Sequence, residues 1–251
     1  MNKKERAIQA INHFYKMEKE YSDKIAWCNA RTKYYSGFVP GSIVNKTKKT
    51  NEKNLNYLEI WETDTVNAIK KAVSEFPNSK IAALNFASFK YPGGGFLKGN
   101  STQEESLCHK SILYNILQRQ REDFYGENKN LINRGLYWNR AIYSPNVLFE
   151  DSYNCDIISC AAPNKKEAKR NGITDEENTK ALKERISFIL DIAAKNKIDV
   201  LILGAFGCGA FGQDPNEVKK IFMKLSNNYI FEKIIFAIPS GSNLDAFRSL
   251  V

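Results

Sequence analysis

Cysteine and histidine are scarce in this sequence, and the few that occur form no pattern that would hold a metal or a disulfide framework. There are five cysteines and two histidines among 251 residues, with no C-x-x-C pair. An odd number of scattered cysteines is typical of a protein from a reducing compartment. We therefore predict no disulfide framework, no structural zinc site and a cytoplasmic location.

Long apolar runs are also missing. No stretch reaches the roughly 18 uninterrupted apolar residues of a membrane-spanning helix. The N-terminus, MNKKERAIQAINHFYK, has no apolar signal-peptide core. We therefore expect neither export nor membrane insertion. A hydrophobic content of 43% over 251 residues is enough for one α/β domain with a full core and an accessory segment.

Basic residues outnumber acidic ones, and the formal net charge is +9. A basic surface suits a polyanionic partner such as nucleic acid. The lysines are spread along the chain, however, which fits a solvated surface equally well. The aromatic residues Tyr34, Tyr35 and Phe38 are similarly ambiguous, since they could stack on bases or pack inside the protein.

The chain divides into a polar N-terminal part and a region in which strands and helices alternate. Residues 1 to about 23 have the spacing of an amphipathic helix, and NKTKKTNEKN at 45–54 is predicted to be an exposed loop. We predict an accessory extension over residues 1–55 and an α/β domain over 56–251. The predicted strands are NYLEIW, KIAALNFA, AIYSPNVLFE, YNCDIISCAAP, IDVLILGAF and FEKIIFAIP. Their alternation with helices, one of them at 102–120, predicts a parallel or mixed sheet with helices on both faces.

Two glycine clusters directly follow predicted strands. The first is Gly93-Gly94-Gly95, and the second spans Gly204 to Gly212. In open α/β sheets, ligands bind beyond the carboxyl ends of the strands, and glycine lets backbone N–H groups approach a phosphate. Neither cluster is a Walker loop or a G-x-G-x-x-G motif. Two such loops at one crevice suit a diphosphate, while the alternative is that the glycines only form turns.

Gln103, Glu104 and Glu105 stand at the start of the predicted helix at 102–120. One interpretation is a capping box, with Thr102 as the N-cap and Glu105 reaching back to it, or the same box one residue earlier. The other is catalytic. Neighbouring side chains on a helix diverge by about 100°, which argues against both carboxylates attacking one glycosidic carbon. One could hold hydroxyl groups while the other transfers a proton.

The pattern Gly93-Gly94-Gly95, seven residues, Gln103-Glu104-Glu105 resembles the signature of poly(ADP-ribose) glycohydrolases. The surroundings are similar to the bacterial, microbial-type branch, a macrodomain with an N-terminal extension. The similarity spans roughly residues 56 to 240. It includes the segments NFAS at 85–88, AAPN at 161–164 and GAFGCGAF at 204–211.

The resemblance implies a three-layer α/β macrodomain in which Glu105 is the catalytic acid and base and Glu104 holds ribose hydroxyls. The second glycine loop would cradle the diphosphate, with Phe211 against the distal ribose. No metal or redox cofactor is implied. The residues implied in substrate binding are Asn85, Gly93, Gly94, Gly95, Gln103, Gly207, Cys208, Gly209, Ala210 and Phe211.

The chain departs from the family pattern at two places. Tyr91 stands where an asparagine usually precedes Pro-Gly-Gly-Gly, and Cys108-His109-Lys110 replaces small or basic residues. Cys108 and His109 point about 100° apart on a helix, which argues against a Cys–His couple. Glu105 and His109 are four residues apart, the spacing of an ion pair or of a pH-dependent assist to Glu105.

The expected function is hydrolysis of O-linked ADP-ribose, from the ends of poly(ADP-ribose) or from an ADP-ribosylated protein or nucleic acid. The sugar carbon would pass through an oxocarbenium-like state, which requires a carboxylic acid to protonate the leaving oxygen. We expect a monomer. Two alternatives are a module that binds ADP-ribose without cleaving it and, from charge alone, a nucleic-acid-binding protein.

Overall fold

A computed structural model describes residues 1–37, 39 and 57–249. The loop predicted at 45–54 and Phe38 lie outside these residues. Seven strands form one sheet in the order β1-β4-β5-β3-β6-β7-β2. Their bounds are Lys33–Ser36 for β1, Leu58–Trp61 for β2, Ile81–Phe86 for β3, Arg140–Leu148 for β4, Asn154–Cys160 for β5, Val200–Leu203 for β6 and Lys233–Ala237 for β7.

Helices cover both faces of this sheet. Over the described residues they are α1 (Lys3–Glu20), α2 (Ser22–Arg31), α3 (Thr65–Glu75), α4 (Gln103–His109), α5 (Leu113–Gln118), α6 (Gly126–Asn128), α7 (Lys165–Arg170), α8 (Asp175–Lys195), α9 (Pro215–Ser226) and α10 (Ser242–Arg248). Among the described residues, none of these helices has the length and apolar content needed to cross a bilayer.

The sheet is mixed, as the sequence predicts. Strands β5, β3, β6, β7 and β2 run parallel, while β4 is antiparallel to β5 and β1 is antiparallel to β4. Parallel neighbours need crossover connections, and helices supply them on both faces. The five parallel strands therefore end at the same edge of the sheet, where the loops that follow them meet.

Alternation along the strands divides the core into two layers. In β3, Ala83 faces one cluster of buried side chains while Leu84 faces the other, and in β5 Ile157 and Ile158 divide in the same way. Helices α1 to α5 cover the first layer, and α8, α9 and α10 cover the second. The strand period of two thus gives a three-layer α/β fold.

The N-terminal residues contribute to both the sheet and the core. Ala10, Met17 and Ile25 are buried in the first layer, and β1 pairs with β4 at the edge of the sheet. In β1, Tyr34 packs against Phe124 at 5.3 Å between ring centroids, which favours packing over base stacking for this ring. The division into 1–55 and 56–251 remains a proposal, and limited proteolysis would test it.

The predicted helix at 102–120 is wrong in one respect, because it breaks into α4 and α5. Ile112 N donates to Leu148 O at 3.0 Å, and Glu150 N donates to Lys110 O at 2.9 Å. Main-chain groups that would continue the helix thus form hydrogen bonds with the chain at the end of β4 instead. The break leaves α4 as a short helix fixed against the sheet, and α4 carries the adjacent glutamates.

Candidate active site

A cavity of about 840 Å³ opens at the edge where the parallel strands end. The loops after β2, β3, β6 and β7 all contribute to its lining. Both glycine clusters reach it, at Gly94 and Gly95 from the first and at Gly207 and Gly209 from the second. The structure therefore brings together two loops that are more than a hundred residues apart in the sequence.

Glu105 lies in the wall of this cavity with 3% of its surface exposed. Its Oε2 accepts a hydrogen bond from Thr102 N at 2.9 Å and another from the Thr102 hydroxyl, so the capping box is formed. Its Oε1 accepts from Gly95 N at 2.8 Å. Each carboxylate oxygen has two lone-pair positions. Oε2 is thus saturated, while Oε1 keeps one position for a further partner.

Glu104 is also buried, with 2% of its surface exposed. Oε2 accepts from Ser88 N at 2.8 Å, and Oε1 accepts from Asn85 Nδ2 at 3.3 Å. Burial raises the pKa of Glu104 to about 8, and the neighbouring Glu105 adds to the rise, against the opposing effect of the hydrogen bonds. Burial therefore favours the protonated form of Glu104, which can donate a hydrogen bond to a sugar oxygen.

Gln103 holds α4 in place. Its Oε1 accepts from Phe86 N at 2.8 Å, while Nε2 donates to Leu84 O at 2.8 Å and to Thr65 Oγ1 at 3.2 Å. The amide is therefore occupied by the end of β3 and the start of α3. These contacts give Gln103 a positioning role, and because it also lines the cavity, its contact with substrate stays a prediction.

The first glycine loop packs directly on the two glutamates. Gly94 has φ +59°, and a Cβ built there would lie 2.8 Å from Glu104 Oε2 and 2.8 Å from Glu105 Oε1. A side chain at this position would displace both carboxylates, so the close approach requires glycine. Gly93 packs against Tyr114 and does not line the cavity.

In the second loop, Gly207, Gly209, Ala210 and Phe211 line the cavity. A Cβ at Gly209 would meet no atom within 4 Å. Cys208 is not part of the lining, and burial raises the pKa of its thiol to about 12, which leaves it unreactive.

Phe211 packs against Tyr137, which is one of two stacked aromatic rings. Its ring meets Tyr137 edge to face at 6.1 Å, and Tyr137 stacks on Phe89 at 4.4 Å with an interplanar angle of 6°. Phe211 itself is half-buried. The ring is thus held in a fixed position on the cavity wall.

Asn85 lies beneath the site without lining it. Its side chain is fully buried, and Nδ2 donates to Ser159 Oγ at 3.0 Å as well as to Glu104. Asn85 therefore orients the Glu104 carboxyl from below and leaves the ligand space to other residues.

Several lining residues were missed in the sequence. One group follows β2, at 64–66, and another follows β7, at 239–243. A third group follows β3 and includes Ser88, Lys98 and Asn100. The rule that ligands bind beyond the carboxyl ends of parallel strands points to the first two loops. Neither loop contains a motif that would identify it without knowledge of the strand order.

Histidine and cysteine form no reactive couple at the site. His109 meets Phe96 edge to face at 4.6 Å, and the described residues contain no ion pair between Glu105 and His109. Burial lowers the pKa of His109 and raises that of the Cys108 thiol. Within residues 1–37, 39 and 57–249, no group of three or more His, Cys, Asp or Glu side chains could hold a metal ion.

A mixed sheet between helices, with a cavity at the carboxyl ends of its parallel strands, defines a macrodomain-like α/β protein. The family profile described as the catalytic domain of microbial-type PARG matches residues 4–150, which include both adjacent glutamates. The match covers more than half of the chain. The chain therefore belongs to the microbial-type poly(ADP-ribose) glycohydrolase family, whose catalytic domains are glycosidases.

Solved structures agree with this assignment. The chain is similar to poly(ADP-ribose) glycohydrolase from Thermomonospora curvata bound to the inhibitor ADP-HPD, with 27% identity, a TM-score of 0.83, and coverage of 98% of this chain and 99% of that one. It is also similar to the enzyme from Deinococcus radiodurans in complex with ADP-ribose, with 30% identity, a TM-score of 0.75, and coverage of 90% and 98%. No curated protein matches the chain.

Glu104 should make the protein less stable as the pH rises. The folded pKa is about 8, against an ordinary value of 4.5, so the folded chain holds a proton that the unfolded chain has released between these values. The stability from this proton is fully present below the ordinary pKa and is lost as the pH rises through the folded one. Glu104→Gln should remove most of this loss, as measured by thermal melts at about pH 5 and about pH 9.

Glu184→Gln is the matched control, because Glu184 is an exposed residue of α8. It should melt like the wild-type protein across the same pH range. If Glu104→Gln and the wild-type protein lose the same stability between the two pH values, then Glu104 is not protonated in the folded state.

Proposed function

We propose that this chain hydrolyses the O-glycosidic ribose bond at the ends of poly(ADP-ribose) and releases ADP-ribose, with Glu105 as the acid and base. The observation that carries the proposal is the adjacent pair of buried glutamates under the first glycine loop, with one lone-pair position of Glu105 Oε1 left for the substrate. This arrangement supplies one group for proton transfer and one for holding the sugar.

In the proposed reaction, Glu105 Oε1 gives a proton to the leaving oxygen while the bond from that oxygen to the anomeric carbon breaks. Water then adds to the sugar carbon, and its proton returns to Glu105, so the enzyme ends as it began. Thr102 holds Oε2 during both steps, which fixes the direction of Oε1.

The neutral carboxyl of Glu104 would bind a ribose hydroxyl beside the reacting carbon. Because burial favours the neutral form of Glu104, that form adds no second negative charge next to Glu105. The two adjacent glutamates thus divide the work: Glu105 moves the proton, and Glu104 orients the sugar.

The diphosphate would lie against backbone N–H groups of the second glycine loop. Of the described residues that line the cavity, Lys98 is the one with a cationic side chain. Recognition by oriented amides therefore fits this site better than recognition by a basic cluster. The net charge of the chain is not concentrated here, and no observation at the site favours nucleic-acid binding over glycoside hydrolysis.

A side-by-side turnover assay tests the proposal. The purified protein is offered poly(ADP-ribose), a mono-ADP-ribosylated protein and ADP-ribosylated DNA, and released ADP-ribose is measured by chromatography. Release from the polymer is the expected result. Release from none of the three, together with tight binding of ADP-ribose, would indicate a binding module.

All five cysteines are free, which supports the cytoplasmic location that we propose. We also propose that the protein is a monomer. Sedimentation analysis would test this oligomeric state.

Gly209→Val should abolish the thermal stabilisation that ADP-ribose gives. The added side chain would enter open space at the cavity wall without a clash, because no atom lies within 4 Å of its Cβ and φ is not left-handed. The fold should survive, but the ligand would meet the new methyl groups. At a ligand concentration of about one hundred times Kd, the wild-type protein should gain about 2.7 kcal/mol.

Gly126→Val adds the same side chain in a helical turn away from the cavity, where a Cβ meets only Arg121 O at 3.8 Å. Its ligand-induced shift in Tm should equal that of the wild-type protein. An undiminished shift in Gly209→Val would place the ligand away from the second glycine loop. Gly94→Val is less informative, because its side chain would displace the glutamates.

A further inference from the structure

An exposed aromatic ring and a lysine lie together at the mouth of the cavity. Tyr91 lines the cavity although 53% of its surface is exposed. Lys98 also lines it, with Nζ 5.8 Å from the centre of the Tyr91 ring. The mouth therefore offers a half-exposed aromatic ring with a positive charge over it, and the proposed hydrolytic step uses neither.

The backbone of Tyr91 is anchored to the part of the site that holds the glutamates. Tyr91 N donates to Ser88 Oγ at 3.2 Å, and Ser88 N donates to Glu104. Tyr91 O accepts from Gly94 N at 3.1 Å, which closes the turn that packs on both carboxylates. The ring is thus carried on a hydrogen-bonded turn beside the carboxylates.

The leaving group of poly(ADP-ribose) has the chemistry that such a pair recognises. The oxygen released is a ribose hydroxyl of the neighbouring adenosine, so an adenine is attached to the adjacent ribose carbon. That unit also carries a diphosphate. An aromatic ring can stack on any nucleobase, and an ammonium group attracts phosphate.

We propose that Tyr91 and Lys98 form an acceptor-side subsite that binds the adenine nucleotide on the leaving side of the scissile bond. Tyr91 stacks on the base, and Lys98 meets the phosphates. This inference rests on the proposed function, because it assigns the leaving half of the same substrate. It also gives a role to Tyr91, which stands where the family pattern usually has asparagine.

Binding of two ligands to the Glu105→Gln variant tests the subsite without turnover. The dimer of ADP-ribose reaches both sides of the scissile bond, whereas ADP-ribose occupies one side, so the ratio of their Kd values measures the acceptor side alone. In this background, Tyr91→Ala should lower the preference for the dimer by about 5- to 20-fold. Tyr91→Phe should keep most of the preference, since stacking needs the ring and not the hydroxyl.

Lys98→Ala should lower the same preference and weaken its dependence on salt. Tyr15→Ala is the matched control, because Tyr15 is a 66% exposed tyrosine on α1 that does not line the cavity. It should leave the ratio unchanged. An unchanged ratio in Tyr91→Ala would overturn the proposal.

Turnover by proteins with intact Glu105 shows whether the subsite acts on substrates whose leaving group carries a base. Tyr91→Ala should lose more kcat/KM on poly(ADP-ribose) than on an ADP-ribosylated serine peptide, whose leaving group has no base. An equal loss on both would overturn the proposal, because it would indicate a general distortion of the loop. A loss on an ADP-ribosylated oligonucleotide as well would support a subsite for any nucleotide.

The proposed function and this inference fail in different ways. If the wild-type protein releases no ADP-ribose from any substrate, the proposed function is wrong. The binding ratio in the Glu105→Gln background still decides the subsite in that case, because it requires no hydrolysis.

Discussion

Glu105→Gln is expected to lower the turnover of poly(ADP-ribose) by at least about 10³-fold while leaving the affinity for ADP-ribose nearly unchanged. Glutamine has the shape of glutamate and can still accept the hydrogen bond from Gly95 N or Thr102 N. It cannot give a proton to the leaving oxygen or take one from water. Single-turnover rates and calorimetric titration on the same variant separate the two effects.

The capping box of α8 provides the matched control. Thr174 N donates to Glu177 Oε2 at 2.8 Å, so Glu177 caps its helix as Glu105 caps α4. Glu177→Gln should cost a similar amount of stability, about 1 kcal/mol, with no loss of rate. A Glu105→Gln protein with more than a tenth of the wild-type rate would mean that Glu105 is only a helix cap.

Phe211→Ala should reduce the rate by roughly 10²-fold, because a reacting sugar displaced by about 1 Å no longer lies over Glu105. The affinity for ADP-ribose should weaken by only about 1 to 2 kcal/mol, since backbone amides make the diphosphate contacts. The ring is half-buried against Tyr137, so the folded state should tolerate its loss better than the loss of a core phenylalanine.

Phe14→Ala is the control for the packing effect of this substitution. Phe14 is also half-buried and meets a tyrosine edge to face, Tyr114 at 5.5 Å, but it does not line the cavity. Both variants should lose comparable stability, and only Phe211→Ala should lose rate. A wild-type rate in Phe211→Ala, or a protein that simply unfolds, would exclude a role for the ring in positioning the sugar.

The sequence predicts much of the fold because its strands have unbroken or alternating apolar patterns and its glycine clusters follow them directly. The same reasoning places both glycine loops at one edge, and the structure brings Gly94 and Gly209 to the same cavity. The order of the strands is harder to infer. β3 lies between β5 and β6 because of contacts between residues that are far apart in the sequence.

Where sequence reasoning fails, long-range contacts decide the outcome. The helix at 102–120 breaks because Ile112 and Lys110 bond to the chain around β4, and local propensity carries no sign of that pairing. The positioning contacts of Gln103 with Leu84 and Phe86 likewise become visible only once β3 is placed beside α4. The capping box and the site are compatible, since Glu105 caps α4 through Oε2 and keeps a position open on Oε1.

A crystal structure of the Glu105→Gln variant with the dimer of ADP-ribose tests the central claim most directly, because the scissile bond would be visible in place. The glycosidic oxygen should lie within about 3.2 Å of the side-chain amide of residue 105, with Glu104 at the ribose hydroxyls and the diphosphate against the second glycine loop. A glycosidic oxygen that faces Glu104, or one that lies away from both side chains, would contradict the assignment of Glu105 as the acid and base.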